Sequence, residues 1–429
     1  MSSSSSLSRK RWWYLMPVIF ITYSLAYLDR ANYGFAAAAG IDSDLGITKA
    51  TSSLIGALFF LGYFFFQVPC AIYAVQRSIR RLIFFSLILW GLCATATGFV
   101  SNIPVLMGIR FLLGVVEAAV FPAMLIFISN WFTSAERSRA NTLLILGNPV
   151  TVLWMSVVSG YLVQAHGWRG MFIIEGLPAV AWAVIWYVVV RDKPNEVSWL
   201  NEQEKRQLQD ALDAEQRHVK PMRNYGEAMR SKTTVMLCAA HACWCVGSFG
   251  FMMWMPTILK SAATMDIVSV GWLSAAPYLV AIIAMLLAST FSDRLRNRKI
   301  FVWPPLLIAS VAFFISYLIG AHSFWTSYAF MTIALVGMYA PYGPFFAIVP
   351  ELVSRNVAGV SMGLISSCGA LGAFAGSYLV GYLHGLTGSP GASYVLLTFA
   401  LLGASILMFC VRATPSEDPV PSLKSEAIR

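Results

Sequence analysis

The sequence predicts an all-α membrane protein with twelve transmembrane helices arranged as two six-helix bundles. Of its 429 residues, 58% are hydrophobic and 12% are charged, whereas soluble domains carry about 25% charged residues. Twelve apolar runs are long enough to cross a bilayer, which takes about 20 residues in a helix. One long polar segment divides these runs six and six. Composition and pattern together exclude a soluble globular protein.

The apolar runs give the order of the elements along the chain. They are predicted at 12–39, 51–74, 82–100, 104–131, 141–165, 170–190, 234–259, 268–291, 301–319, 325–350, 357–383 and 392–411. The corresponding divisions are a tail over 1–11, a first bundle over 12–190, a linker over 191–233, a second bundle over 234–412 and a tail over 413–429. Within the linker, Ser198 followed by acidic residues predicts a surface helix over 198–217.

The basic residues predict the orientation of the chain in the membrane. With the N-terminus placed in the cytoplasm, the cytoplasmic segments hold 25 Lys and Arg residues and the opposite side holds 3. Basic residues accumulate on the cytoplasmic side, so we expect both termini to be cytoplasmic, in a bacterial inner membrane. Because the net charge of +10 is spread over alternating loops, nucleic-acid binding is not expected. The seven cysteines lie in or beside apolar runs and are expected to pack as small hydrophobic residues.

Four charged residues lie at bilayer depth in the first half of the chain. Asp29 and Arg30 interrupt the first apolar run, and Arg110 and Glu117 lie two helical turns apart on one face of the fourth. A charge at that depth costs ~2.5–3.5 kcal/mol, so each one needs a partner on another helix, a watery cavity or a ligand. We expect Arg110 to meet Asp29 and Glu117 to lie deeper. The alternatives are a first helix that ends at Tyr27, and a static buried charge pair.

Other polar and aromatic residues lie within the spans and are candidates for a binding site. Glu175, near the outer end of the sixth run, is expected to make a structural pairing, and His241 is expected to be packed or hydrogen-bonded rather than a proton carrier. A break in the tenth run is predicted at 339–344, where two prolines and a glycine stand close together. The remaining candidates are Tyr27, Tyr63, Asn148, Trp254 and Tyr342.

The loop after the eighth run contains an Asp-Arg pair followed by basic residues. Asp293, Arg294 and Arg298 belong to it. This pattern resembles the loop motif of the major facilitator superfamily, which implies a gating role for these three residues. The corresponding loop after the second run, 75–81, keeps the basic residues but lacks the acid. The division of the runs into six and six agrees with the repeated bundles of that superfamily.

Three segments narrow the resemblance: 27–32 (YLDRAN), 110–118 (RFLLGVVEA) and 167–169 (GWR). They resemble the anion:cation symporter family, whose members carry organic anions and whose bacterial members include proton-coupled importers of hexonates, hexuronates and tartrate. The resemblance implies Asp29 and Glu117 as the proton-binding acids, Arg30 as the anchor of the substrate carboxylate with Tyr63 nearby, and Arg110 as a charge partner.

Two positions differ from the galactonate-type members of that family. Asn148 stands where they have a Gln beside the second acid, and Ser366 stands where they have an Asn that contacts the sugar. These differences imply a related but different sugar acid. The segment that ends at 40–42 most resembles the 2-ketogluconate transporters, so 2-keto-D-gluconate is the expected substrate.

The sequence therefore predicts a secondary transporter that imports a sugar-acid anion with protons by alternating access. The expected partners are a small organic anion, protons and the bilayer, with the proton gradient as energy source, no cofactor or metal, and a monomeric chain. Galactonate, glucuronate, tartrate and phthalate-like anions are alternative substrates. The two interior arginines disfavour an exporter of drugs or cations. A membrane enzyme or receptor is disfavoured because no nucleophile-base pair or soluble domain is evident, and an ATP-driven pump because no Gly-x4-Gly-Lys-Ser/Thr loop occurs.

Overall fold

The computed structural model describes residues 9–217, 231–263, 265–295, 298–352 and 358–411. Its α-helices are α1 (Lys10–Ala39), α2 (Ile41–Leu45), α3 (Lys49–Gln76), α4 (Ile79–Thr97), α5 (Ile103–Glu117), α6 (Val120–Trp131), α7 (Ser134–Val189), α8 (Glu202–Arg217), α9 (Lys232–Ala263), α10 (Ile267–Leu295), α11 (Trp303–Ile319), α12 (Phe324–Tyr339), α13 (Tyr342–Leu352), α14 (Ala358–Thr387) and α15 (Gly391–Cys410). Short 3-10 helices lie at Pro194–Glu196, Arg298–Phe301 and Gly320–His322. These ranges contain no strand, and the all-α prediction is confirmed.

The helices account for the twelve predicted spans. Ten stretches are long and apolar enough to cross a membrane, and one of them, within α7, holds two spans. α7 has 56 residues, too many for one crossing, and its backbone turns at Gly167, which has a φ of 67°. Ser159 before this turn is hydrogen-bonded to Glu175 after it, so the two arms of α7 run side by side. The twelfth span is α1, 30 residues long, which continues unbroken through the Asp29-Arg30 pair, so the alternative of a first helix that ends at Tyr27 is wrong.

Two spans are broken beside a proline. Span four is divided between α5 and α6 at Ala118, because Pro122 has no N–H to donate to the carbonyl four residues before it. This break directly follows Glu117 and has no counterpart among the predicted features. Span ten is divided between α12 and α13 at Ala340, and the predicted break at 339–344 is confirmed. Ala118, Ala119 and Ala340 keep helical φ and ψ values, so each proline removes a hydrogen bond from its span without unwinding these residues.

The two halves of the molecule, α1–α7 and α9–α15, meet along three helix pairs. α3 packs against α14, the first arm of α7 against α10, and α1 against α9. Glycine permits close approach in these pairs: Gly34 of α1 faces the Met253 backbone of α9, and Gly160 of α7 faces Gly271 of α10. The cavity described below lies between these two halves.

The linker helix begins later than predicted. Asn201, not Ser198, caps α8: its side-chain carbonyl accepts from the Glu204 N–H at 2.7 Å, and the Glu204 carboxylate accepts from the Asn201 N–H at 2.9 Å. Trp199, just before this cap, stacks on Tyr14 with ring centroids 4.9 Å apart. The start of the linker is thereby attached to α1. The predicted tails, apart from residues 9–11, and linker residues 218–230 lie outside the described ranges.

Candidate functional site

A cavity of about 90 Å³ lies between the two halves. α1, α3, α6 and α7 line it from one half, and α9, α13 and α14 line it from the other. Nine of its lining residues are Phe or Tyr. Its polar lining residues are Arg30, Gln67, Asn148, His241, Cys245 and Ser366. Among the described lining residues, Arg30 alone carries a permanent charge, so the cavity presents one cation within an aromatic wall.

The guanidinium group of Arg30 is bound at its Nε edge by a carboxylate and packs near three aromatic rings. Its Nε donates to Glu117 Oε2 at 3.1 Å, and its side chain is 7% exposed. The guanidinium carbon lies 4.7 Å from the ring centroid of Tyr63, 5.1 Å from that of Tyr27 and 5.6 Å from that of Phe59. Within the described part of the chain, its buried Nη2 makes no hydrogen bond. A cation oriented in this way can bind a carboxylate through its remaining N–H groups.

Asp29 projects from the other side of α1 into a separate network. The Trp90 indole N–H donates to its Oδ2, and the Asn32 amide donates to its Oδ1 at 3.1 Å. The same Asn32 nitrogen donates to Glu175 Oε2 at 3.2 Å, and Ser159 donates to Glu175 Oε1 at 2.5 Å. Neighbouring helical residues point in different directions, so Asp29 and Arg30 serve different sites.

The expected pairing of Arg110 with Asp29 does not form. In the described residues Arg110 makes no ion pair; its guanidinium carbon lies 4.8 Å from the Tyr33 ring centroid and 5.9 Å from that of Phe172. It still acts electrostatically on Asp29. The ion pair that forms instead joins Arg30 to Glu117, because α5 presents Glu117 towards the cavity side of α1.

The cavity brings together six of the predicted substrate-binding residues. These are Tyr27, Arg30, Tyr63, Asn148, Tyr342 and Ser366. Glu117 contributes through its contact with Arg30, whereas Arg110 is not among the lining residues. Trp254 does not line the cavity: its indole N–H donates to the Ser377 carbonyl at 3.3 Å and so joins α9 to α14. Its role in substrate binding stays a prediction.

The predicted gating loop lies away from the cavity. Arg294 is in the exposed last turn of α10, and Arg298 begins the 3-10 helix Arg298–Phe301. The side chain of Asp293 lies outside the described part of the structure. Its relation to these two arginines stays a prediction.

Three of the six polar lining residues named above were not predicted to lie there: Gln67, His241 and Cys245. Gln67 accepts a hydrogen bond from Ser367 of the other half at 3.2 Å. It stands four residues after Tyr63, on the same helical face, and this spacing was the available signal. The His241 Nδ1 lies 3.0 Å from the Ile365 carbonyl oxygen, which agrees with the predicted hydrogen-bonded histidine.

The chain is similar, in sequence and in fold, to known transport proteins. A sequence model of the Major Facilitator Superfamily matches residues 19–377 and 264–428. A putative tartrate transporter of Agrobacterium vitis is 29% identical, over 95% of this chain and 92% of that protein. A quinolone resistance transporter of Acinetobacter baumannii is 28% identical, over 93% of both chains. A solved bacterial homologue of the human lysosomal transporter Spinster has a TM-score of 0.71 and 18% identity, covering 94% of this chain and 96% of its own, a likeness of fold.

Proposed function

The chain belongs to the Major Facilitator Superfamily, and we propose that it imports an organic anion together with protons. It is a membrane transporter rather than an enzyme. The first candidate substrate is a sugar acid, 2-keto-D-gluconate. The energy source in this proposal is the proton gradient, without a cofactor.

The observation that carries the proposal is the state of Arg30. This residue lines the cavity, is bound to Glu117 through Nε, and has a buried Nη2 without a hydrogen bond among the described residues. A planar guanidinium binds a carboxylate through two N–H groups, and charge-assisted hydrogen bonds are about twice as strong as neutral ones. An anionic substrate would satisfy the nitrogen that no described residue pairs.

The Arg30–Glu117 contact also supplies a route to proton coupling. Glu117 is fully buried, and its Oε1 makes no hydrogen bond in the described part of the chain. A substrate carboxylate that takes over Arg30 would leave Glu117 as a second negative charge in the same place. Two carboxylates beside one cation favour protonation of one of them, because the second charge is not compensated. Anion binding and proton binding would then strengthen each other.

The remaining lining residues favour an oxygen-rich anion. Gln67, Asn148 and Ser366 offer donors and acceptors to hydroxyl and keto groups. A relative named as a putative tartrate transporter supports a hydroxylated acid. The nine Phe and Tyr residues of the lining favour a second candidate, an aromatic carboxylate, because rings pack well against other rings.

The proposal is tested with purified protein and with proteoliposomes. Binding is screened against 2-keto-D-gluconate, gluconate, galactonate, glucuronate, tartrate and phthalate, and uptake of each ligand is measured with an inward proton gradient. We expect saturable binding of one of them and uptake that a protonophore abolishes, with no requirement for sodium. Sodium-dependent uptake at fixed pH, or binding of cationic drugs in place of all six anions, would overturn it.

A further inference from the structure

We propose that Asp29 and Glu175 act as one proton-binding unit, bridged by Asn32, which holds a single proton between two carboxyl groups. Glu175 does not line the substrate cavity and has no role in the function described above. In this unit it is a third acid of the coupling machinery, beside Asp29 and Glu117. The inference rests on the proposed proton coupling.

In this unit, the carboxyl groups of Asp29 and Glu175 both accept hydrogen bonds from the side-chain amide of Asn32. Asp29 Oδ1 and Glu175 Oε2 lie 3.1 Å and 3.2 Å from the same nitrogen of Asn32. Asp29 is 1% exposed, Asn32 is 0% exposed and Glu175 is 5% exposed. Two ionised carboxylates held this close without solvent repel each other, and such pairs retain a proton.

The hydrogen bonds of the unit have room for one more donor. Each of the four carboxyl oxygens already accepts one hydrogen bond, from Trp90, from Ser159 or from the two N–H groups of Asn32. The Asn32 carbonyl oxygen is buried and accepts none from the described residues. Buried polar groups are rarely left unpaired. The unit therefore has one acceptor more than it has donors, a count that one added proton balances.

The surrounding charges also favour one retained proton. Arg30 is already neutralised by Glu117, so Arg110 of α5 is the remaining permanent cation that acts on the unit. The other titratable groups that act on Asp29 are Cys93 of α4, neutral in its ordinary state, and Glu117 of α5, whose negative charge Arg30 balances. One cation compensates one carboxylate. The second carboxyl group of the unit retains the proton.

The unit is placed to respond to substrate. Asp29 adjoins Arg30 on α1, whereas Glu175 belongs to the second arm of α7, so Asn32 joins the helix of the substrate anchor to another helix. A shift of α1 when an anion binds Arg30 changes the separation of the two carboxyl groups. Their repulsion, and therefore their hold on the proton, changes with it.

The first test measures how exchange of labelled 2-keto-D-gluconate across proteoliposomes depends on pH. Glu175→Gln removes the neighbouring charge, so Asp29 binds its proton less tightly and the midpoint moves to lower pH by about one unit or more. Ser159→Ala removes a donor to the Glu175 carboxylate, so the unit binds its proton more tightly and the midpoint moves to higher pH. Glu196→Gln, an exposed acid, is the matched control and should leave the midpoint unchanged. Identical midpoints for all four proteins would overturn the inference.

The second test needs no substrate and keeps the inference separate from the proposed function. Infrared difference spectra of the purified protein, titrated with acid and base, record the carbonyl stretch of protonated carboxyl groups. We expect one such band in the wild type at neutral pH to disappear in Glu175→Gln, even if no anion of the panel is transported. A band that is unchanged in Glu175→Gln means that Glu175 is ionised or structural. Failure of proton-driven uptake by the wild type would refute the proposed function instead.

Discussion

The two halves of the molecule bury very different side chains. The half formed by α1–α7 encloses Asp29, Arg30, Arg110, Glu117 and Glu175, all almost without solvent contact. In the described part of α9–α15, the buried polar side chains are hydroxyl groups and His241, with no carboxylate, lysine or arginine. In the proposed function, the first half therefore carries the groups that bind the anion and the protons. The second half contributes shape, through its aromatic rings.

The side-chain contacts between the two halves are single hydrogen bonds, which cost little free energy to break when water takes the place of one partner. Where side chains bridge them, Lys260 donates to the Ala38 carbonyl at 2.6 Å, Lys49 lies 3.2 Å from His384, and Ser367 donates to Gln67. No ion pair joins the halves within the residues that the structure describes. Separating a buried charge pair across the interface would add a penalty to each transport cycle, whereas water can replace the uncharged partner in each of these single hydrogen bonds.

The largest expected effect concerns the cation of the first half. Arg30→Lys keeps the charge but loses the planar fork, so we expect substrate affinity to fall by about 10- to 150-fold, the equivalent of one charge-assisted hydrogen bond of ~1.5–3 kcal/mol. Calorimetric binding to the purified protein measures it. Arg169→Lys, at a largely exposed ion pair, is the matched control and should bind like the wild type. Wild-type affinity in Arg30→Lys would remove Arg30 as the anchor.

The acids of the first half should separate coupling from binding. Glu117→Gln imitates a protonated acid that cannot release its proton, so we expect exchange of labelled for unlabelled substrate to continue while proton-driven accumulation is lost. Asp29→Asn should do the same. It should also destabilise the protein by ~1–3 kcal/mol, because one acceptor of the Trp90 and Asn32 bonds is lost. Both activities are measured in one proteoliposome preparation.

Glu202→Gln, on the exposed face of α8, serves as the control for loss of an acid. Full proton-driven accumulation by Glu117→Gln would take Glu117 out of the proton route. The same result for Asp29→Asn would leave Glu117 as the proton-binding acid and would also contradict the shared proton.

A smaller effect is expected where the halves jointly determine selectivity. Asn148 and Ser366 line the cavity from opposite halves, and the galactonate-type symporters are expected to have Gln and Asn at these positions. The double variant Asn148→Gln, Ser366→Asn should shift the ratio of galactonate to 2-keto-D-gluconate affinity by about tenfold, the worth of one hydrogen bond. Proton coupling should not change. An unchanged ratio would mean that selectivity resides elsewhere in the wall.

The fold could be predicted because span length and the position of loop charges are direct consequences of the bilayer. The partners of the buried charged residues could not be predicted from the sequence. Spacing along α5 places Arg110 and Glu117 on one face, but it does not say which face of α1 they meet, and the structure pairs Arg30 with Glu117. The break after Glu117 depends on Pro122, a local effect that hydropathy does not register.

Glu175 shows a second reason why contacts in the site could not be predicted from the sequence. Its place near the end of the sixth run predicts a structural pairing, and it does pair with Ser159. Its link to Asp29 through Asn32 depends on the turn at Gly167, which folds the second arm of α7 back along the first. Contacts between helices distant in sequence cannot be read from one chain without its fold.

The smallest effect on stability is expected at a surface ion pair, Arg169–Asp44, that has the same length as the buried Arg30–Glu117 pair. Arg169 and Asp44 are 3.1 Å apart, as are Arg30 and Glu117, but their side chains are 37% and 52% exposed whereas those of the central pair are 7% and 0% exposed. Water already solvates both partners at the surface, so Asp44→Asn, which keeps an acceptor for the Trp168 indole N–H, should cost about 1 kcal/mol or less of unfolding free energy and leave transport unchanged. Glu117→Ala leaves a buried cation uncompensated and should cost ~3–5 kcal/mol. Denaturation of both variants in the same detergent measures the contrast, and equal losses would show that burial does not distinguish the two pairs.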